Sequence, residues 1–449
     1  MGISNGVFIL LLAGAIYLFS RQVGKIRRNI LLGREEDRSD RKSERWQTML
    51  KVAFGQSKMG ARPVAAIMHL LVYVGFVLIN IEVLEIILDG ILGTHRVFHE
   101  VLGSFYFVVI NFFEVLALGV VIGVLVFLAR RLVVRVPRFW KPEMKGWPTK
   151  DALYILYIEL ILMAALLIMN ASDSILMSTS PEVLAGLGLE KYSLSMNGSF
   201  LISGFIAPLL PEDLSTLAMI ERGSWWFHII GILAFLNYLP ISKHFHIIMA
   251  FPATFYSNLN PKGRFNNMES VTNEVKLMMD PNADPFAAPA PDENQVPQAF
   301  GAKDVKDLSW KSLLDSYTCT ECGRCTSECP ANQTGKLLSP RKIMIDTRDR
   351  LEEVGKNIDT HGADYDDGKS LLGDYISKEE LWACTSCNAC TQACPINLDP
   401  LSVIVEMRRF MVMELSDAPQ ELNGMFTNIE NNGAPWQFAQ ADRLNWKDE

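Results

Sequence analysis

The sequence predicts an all-α protein in two parts: a five-span transmembrane helical bundle, then a helical domain built around eight cysteines. Three observations predict it. Residues 1–260 hold five apolar runs, roughly 3–20, 63–88, 101–129, 152–171 and 224–250, each near the ~20 residues that a bilayer crossing needs. Residues 261–449 are polar and acidic and carry every cysteine. Helix-start signals frame those cysteines. A net charge of −8 over 449 residues gives no signal of nucleic-acid binding.

The spans come first. The run at 3–20 lacks a basic lead-in and a small-residue cleavage site, so it reads as a retained anchor rather than a signal peptide. Twelve Lys or Arg lie in residues 21–62 and seven in 130–150, against only Arg96, Lys191 and Arg222 in the loops 89–100 and 172–223. Basic loops stay on the cytoplasmic side. The N-terminus is therefore expected outside a bacterial cytoplasmic (inner) membrane and the cysteine domain inside, where reducing conditions keep thiolates available. The expected division is a membrane domain at 1–260, a proline-rich linker at 261–307, the cysteine domain at 308–415 and a tail at 416–449. Within the linker, residues 281–300, with Pro281, Pro285, Pro289, Pro291 and Pro297, read as a semi-extended spacer, acting as a hinge or as a fixed strap.

The cysteines form two copies of one pattern: Cys319, Cys322, Cys325, Cys329-Pro330, and Cys384, Cys387, Cys390, Cys394-Pro395. Each reads C-x2-C-x2-C-x3-C-P, the run that binds [4Fe–4S] clusters, with the fourth cysteine on the other run's cluster. One cluster then uses Cys319, Cys322, Cys325 and Cys394, the other Cys384, Cys387, Cys390 and Cys329. Zinc needs one C-x2-C pair per half-site and leaves the third cysteine redundant. Each loop is expected between helices. Ser377 and Glu380 have capping-box spacing, Ser309-Trp310 opens a similar segment, and Ser339-Pro340 and Asp399-Pro400 read as N-cap and first helical residue.

Five of seven histidines lie in or beside the spans: His69, His99, His228, His244 and His246. Histidine inside a bilayer is expensive and marks function by default. His228 and His246 are 18 residues apart, five whole turns and ~27 Å on one continuous helix. They suggest two haem b groups, one per leaflet. By depth, His69 reaches His246 for an inner haem; His99, or His95 one turn earlier, reaches His228 for an outer one. Glu82, Glu85, Glu114 and Glu159 lie within spans and are candidates for proton or quinone chemistry, or else interfacial or protonated core residues. Lys243 is expected to meet a haem propionate or to snorkel to the interface.

Five spans closed by Ser242-Lys243-His244-Phe245-His246 resemble the cytochrome b gamma subunit of respiratory nitrate reductase. That resemblance implies haem ligands at His69, His228 and His246. The family's second span-two histidine falls here on Ile79, so the outer haem uses His99 or is absent, giving one or two haems b. The cysteine half resembles the small two-cluster subunit of heterodisulfide reductase and the helical cluster domain of succinate dehydrogenase. The joined arrangement is similar to the N-terminal part of membrane-bound electron-transfer-flavoprotein:menaquinone oxidoreductases. The resemblance implies an electron-transfer subunit linking a cytoplasmic redox partner to the menaquinone pool. Its expected partners are a separate CCG-domain subunit, an electron-transfer flavoprotein and a membrane quinone. Reverse flow, from quinol to a heterodisulfide-reductase-like acceptor, is the alternative; the role of a structural anchor is a further one. All eight cysteines are used by the clusters, so the soluble-side catalytic chemistry is expected in another chain.

Overall fold

A computed structural model describes residues 2–194, 200–282 and 299–448, and those residues form helices and loops without a strand. Pro285, Pro289, Pro291 and Pro297 of the expected linker lie outside the described residues. Five helices are long and apolar enough to cross a membrane: α1 (Ile3–Ile30), α2 (Pro63–Leu92), α3 (Phe105–Leu132), α4 (Trp147–Met177) and α5 (Leu214–Tyr238), the last continued by a 3-10 turn to Ile241.

The fifth span differs from the sequence reading, which set it at 224–250. Asp213 caps its first turn by accepting the Thr216 N–H at 2.8 Å, so the helix starts well before the apolar run. It stops because Pro240 lies in the terminal turn and Ser242 is extended (φ −120°, ψ 152°). A separate helix, α6 (His246–Phe255), follows. His228 and His246 therefore lie on two helices, not on one face of a single helix.

The bundle is cored by Ile79, Ile86, Phe113, Ala117, Val120, Val124, Leu166 and Ile229. Its end remote from the cysteines is closed by buried ion pairs. Arg96 Nε donates to Asp173 at 2.7 Å, and Asp173 also meets His95 Nε2 at 2.9 Å. Glu85 accepts the Phe98 N–H and the Tyr106 hydroxyl, and Glu114 accepts the Ile202 and Ser203 N–H groups. Those two span carboxylates thus anchor the loops at that end.

The cysteine domain is framed by α7 (Trp310–Thr318), α8 (Pro340–His361) and α9 (Pro400–Met413). All four expected start signals cap helices. Ser309 accepts from Ser312 N, Ser339 from Lys342 N, and Asp399 from Leu401 N and Ser402 N; Ser377 and Glu380 form the reciprocal box. Behind the caps, Leu308, Leu313, Ile343, Leu351, Leu381, Val403 and Met407 are fully buried.

The two halves share one core. Ile26 and Ile30 of α1, with Leu239, Phe245 and Ala253, pack into the same cluster as Leu308, Leu313 and Val354. Backbone joins them too: Arg34 N donates to Leu308 O at 2.8 Å and Trp310 N to Arg34 O at 3.0 Å. Gly33 permits this approach, since a Cβ there would lie 2.7 Å from Trp310 N and 2.8 Å from Leu308 O. Gly33→Val is expected to destabilise the docked state by about 1–3 kcal/mol, the usual cost of overpacking. Thermal unfolding and limited proteolysis of the purified chain would read this as a lower Tm and a new cut near residue 300; an unchanged Tm and digest would refute it.

Candidate iron–sulfur and haem sites

The two cysteine runs fold as a true repeat. In the first, Glu321 (φ 55°) and Gly323 (φ 70°) are left-handed; in the second, Ser386 (φ 57°) and Asn388 (φ 60°) occupy the matching positions. Two left-handed residues turn each loop back on itself, and asparagine tolerates this better than most residues. Glycine is needed at 323 for a second reason: a Cβ would come within 2.4 Å of the Arg341 guanidinium. The helices that carry each third cysteine, Arg324–Glu328 and Ala389–Ala393, pack on each other, and this brings each fourth cysteine towards the other loop.

The sulfurs crowd one another at the junction of the two runs. Burial, reinforced by the sulfur of Cys322, pushes Cys319 and Cys394 up to about 12. Burial likewise raises Cys325, with Cys322, Cys319, Cys394 and Cys390 adding to it. In the second run, burial raises Cys384, with Cys329 and Cys387 reinforcing it. A cavity enclosing about 320 Å³, part of it open to solvent, is lined by Cys329, Cys384, Cys387 and Cys390 with Leu338, Leu401 and Ile404. Thiols this crowded ionise together only around a multivalent cation. Among the described residues no group of three converges closely enough for a single metal ion, whereas a cubane takes each thiolate on a different iron. The donor set fits [4Fe–4S] clusters.

The first loop faces the membrane helices. Arg138, after α3, donates to Cys322 O at 3.0 Å. Arg341, fully buried, donates to Arg138 O at 2.7 Å and to Glu143 at 2.7 Å. The second loop faces outward, with Cys387 exposed. Arg408 supports it through Leu381 O and Cys384 O while stacking over Trp382.

Among the histidines the structure brings one expected pair together. His69 and His246 have ring centroids 6.4 Å apart. Two imidazoles on opposite sides of one metal stand roughly 6 Å apart, at ~2 Å per metal–nitrogen bond. Each Nδ1 is held by the protein, His69 by Gln56 Oε1 at 3.1 Å and His246 by Lys243 O at 3.0 Å. That leaves each Nε2 available to a metal, the arrangement usual for a metal-binding histidine. The pair fits a haem b.

The outer pair is not brought together. His228 stands 14 residues into α5, about 21 Å from its start, while His99 lies before α3 with its ring on Tyr106 and Phe107. His95 is held by Asp173. His228 gives Nδ1 to Leu162 O at 2.9 Å and keeps a buried Nε2 without a hydrogen-bond partner. Ile79, where the resembling family has its second histidine, packs in the same core as Ile229.

Comparisons with known proteins decide the class of the cysteine half. Residues 318–398 match the 4Fe-4S dicluster domain. Nearly the whole chain is similar to two larger proteins. It is 27% identical to the "Probable iron-sulfur-binding oxidoreductase FadF" of Bacillus subtilis (strain 168), over 99% of this chain and 60% of the relative. It is also 27% identical to the "EtfAB:quinone oxidoreductase" of Syntrophomonas wolfei subsp. wolfei, over 98% of this chain and 59% of the relative. The chain thus spans about three fifths of these curated relatives. The dicluster region is 34% identical to one subunit of the ferredoxin/F(420)H(2)-dependent CoB-CoM heterodisulfide reductase of Methanosarcina acetivorans, over 22% of this chain and 49% of the relative. No solved structure matches the chain.

The dicluster domain meets the bundle through residues that spacing alone did not single out. Lys243 neither snorkels nor waits for a propionate. Its ammonium is buried against Glu321, between Cys319 and Cys322, and also donates to Pro148 O. Arg348 bonds the other oxygen of Glu321 at 2.8 Å. Two cations hold the Glu321 carboxyl below its usual range despite its burial. One residue therefore supports both sites: the carbonyl of Lys243 orients His246, and its side chain grips the first cysteine loop. Gln56 had no sequence signal either. For the lysine pair, a charged residue inside the first C-x2-C step, Glu321, was the one available sign.

Proposed function

We propose that the chain is a membrane electron-transfer protein linking a soluble redox partner on the dicluster side to a membrane quinone, with menaquinone the expected acceptor. One observation carries the reading most: the first cysteine loop is bonded through Glu321 to Lys243, the residue that orients His246, while Cys387 of the second loop is exposed. When bound, two [4Fe–4S] clusters and a b-type haem supply one-electron stations. Cys319, Cys322, Cys325 and Cys394 would hold the inner cluster, Cys384, Cys387, Cys390 and Cys329 the outer one, and His69 with His246 the haem. The chain's own work is ligation, spacing and a cationic setting from Arg138, Arg341 and Arg408.

Both basic loops lie on the dicluster side of the bundle, where Arg28 meets Asp359, Arg62 meets Glu328 and Glu143 meets Arg341. The positive-inside rule then supports a cytoplasmic dicluster domain. Similarity to an EtfAB:quinone oxidoreductase supports an electron-transfer flavoprotein as ultimate donor, reached through a CCG-domain partner. Similarity to a heterodisulfide reductase component favours a second reading, with electrons running from quinol to a soluble acceptor.

The test is reconstitution of the full chain in liposomes. About eight non-haem irons and one b-type haem per chain are expected from the ligand sets. Dithionite-reduced clusters should be reoxidised by a menaquinone analogue through the haem. Reduced clusters and haem that stay reduced when the quinone is added would overturn the proposal.

A further inference from the structure

We propose that Glu159 and His244 form the quinone site, on the dicluster side of the bilayer beside His246; this rests on the electron-transfer reading above. Most span carboxylates are deeply buried or tied down: Glu82 lies 3.6 Å from Arg96 and Glu221 accepts the Tyr192 hydroxyl. Glu85, Glu114, Asp151 and Asp173 are each tied by hydrogen bonds to backbone N–H groups, Tyr hydroxyls, Arg96 or His95. They are structural anchors. Glu159 differs. Its Oε1 lies 3.5 Å from His244 Nε2, and both side chains retain 13% exposure where Glu321, Asp173 and Glu82 retain 1–2%. A carboxyl–imidazole pair at a span is costly to keep unless it has work to do, and both of these side chains remain partly exposed.

The surroundings suit a lipid-soluble ring that accepts electrons and protons together. The His244 ring stands 5.5 Å from His246, edge-on, and 5.4 Å from Phe235, which supplies an apolar flank. Electrons arriving at His69–His246 are thus one side chain away. Beside the helix break, a cavity of about 420 Å³, part of it open to solvent, is lined by Ser242, Lys243, Asp349 and Glu352, and brings water to the neighbourhood of His244. His244 N donates to Ser242 Oγ at 3.0 Å within that break. Reduction takes two electrons and two protons. Each carbonyl C=O becomes C–OH, the ring takes up the electron pair, and both protons come from water at the break, while the Glu159–His244 pair holds the ring in place.

The experiment uses the full chain in liposomes, its haem reduced by dithionite and then mixed with a short-tailed menaquinone analogue. Haem reoxidation is followed by absorbance. Glu159→Gln and His244→Gln are expected to keep the reduced b-type spectrum and to slow reoxidation at least tenfold, with the analogue's half-saturation raised in the histidine variant. Glu85→Gln should reoxidise at the parent rate. Parent-rate reoxidation in Glu159→Gln overturns the site while leaving the quinone reading intact. A parent protein that the analogue never reoxidises overturns that reading and the site with it.

Discussion

Cys394→Ala is expected to abolish the cluster of the first cysteine run, although residue 394 belongs to the second. Fourth cysteines serve the opposite cluster in runs of this spacing. Here Cys322 raises the pKa of Cys394, and Cys329 lines the cavity shared by Cys384, Cys387 and Cys390. Four variants read the crossing by electron paramagnetic resonance. Cys322→Ala and Cys394→Ala should lose one and the same reduced-cluster signal, and Cys387→Ala and Cys329→Ala the other. Bound iron should fall by about half in each if one four-iron cluster of two is lost. Cys394→Ala sharing its missing signal with Cys387→Ala would show that each run binds its own cluster.

His246→Leu is the second large effect. With one of two axial imidazoles gone, the b-type absorbance should vanish or turn high-spin while both cluster signals persist. His69→Leu should behave alike, because the two rings form one pair at 6.4 Å. Gln56→Leu should weaken haem retention about 10–100-fold, as losing the outer partner of a ligand histidine typically does. His99→Leu should leave the spectrum unchanged. A normal b-type spectrum in His246→Leu would remove the haem assignment.

What was legible in the sequence was what is local. Ser339-Pro340, Asp399-Pro400 and the Ser377/Glu380 box each describe one helical turn, and each caps a helix. Cysteine spacing is also local, since three sulfurs two residues apart must share a loop. The membrane depth of His228 was not local. It was taken from an apolar run starting near 224, whereas the cap at Asp213 starts the helix ten residues earlier, about 15 Å at 1.5 Å per residue. That displacement separates His228 from His99. The break at Ser242 had Pro240 as its one hint. The Lys243–Glu321 pair joins residues 78 apart, and nothing in either neighbourhood names the other.

Gly33 and the bridge it permits bear on how this molecule can be dissected. A soluble fragment cut at the polar segment before residue 300 would keep both cysteine runs, yet it would lose the strand-like partner of Leu308 and Trp310 and the apolar cover given by Ile26 and Ile30. It would also strand the Glu321 carboxylate without its lysine. A workable fragment has to bring the Ile26–Arg34 stretch along, fused ahead of residue 300, with a neutral residue at 321. The recombinant unit of this protein is therefore discontinuous: the first helix's end belongs, for purposes of expression and crystallisation, to the domain that begins nearly three hundred residues later.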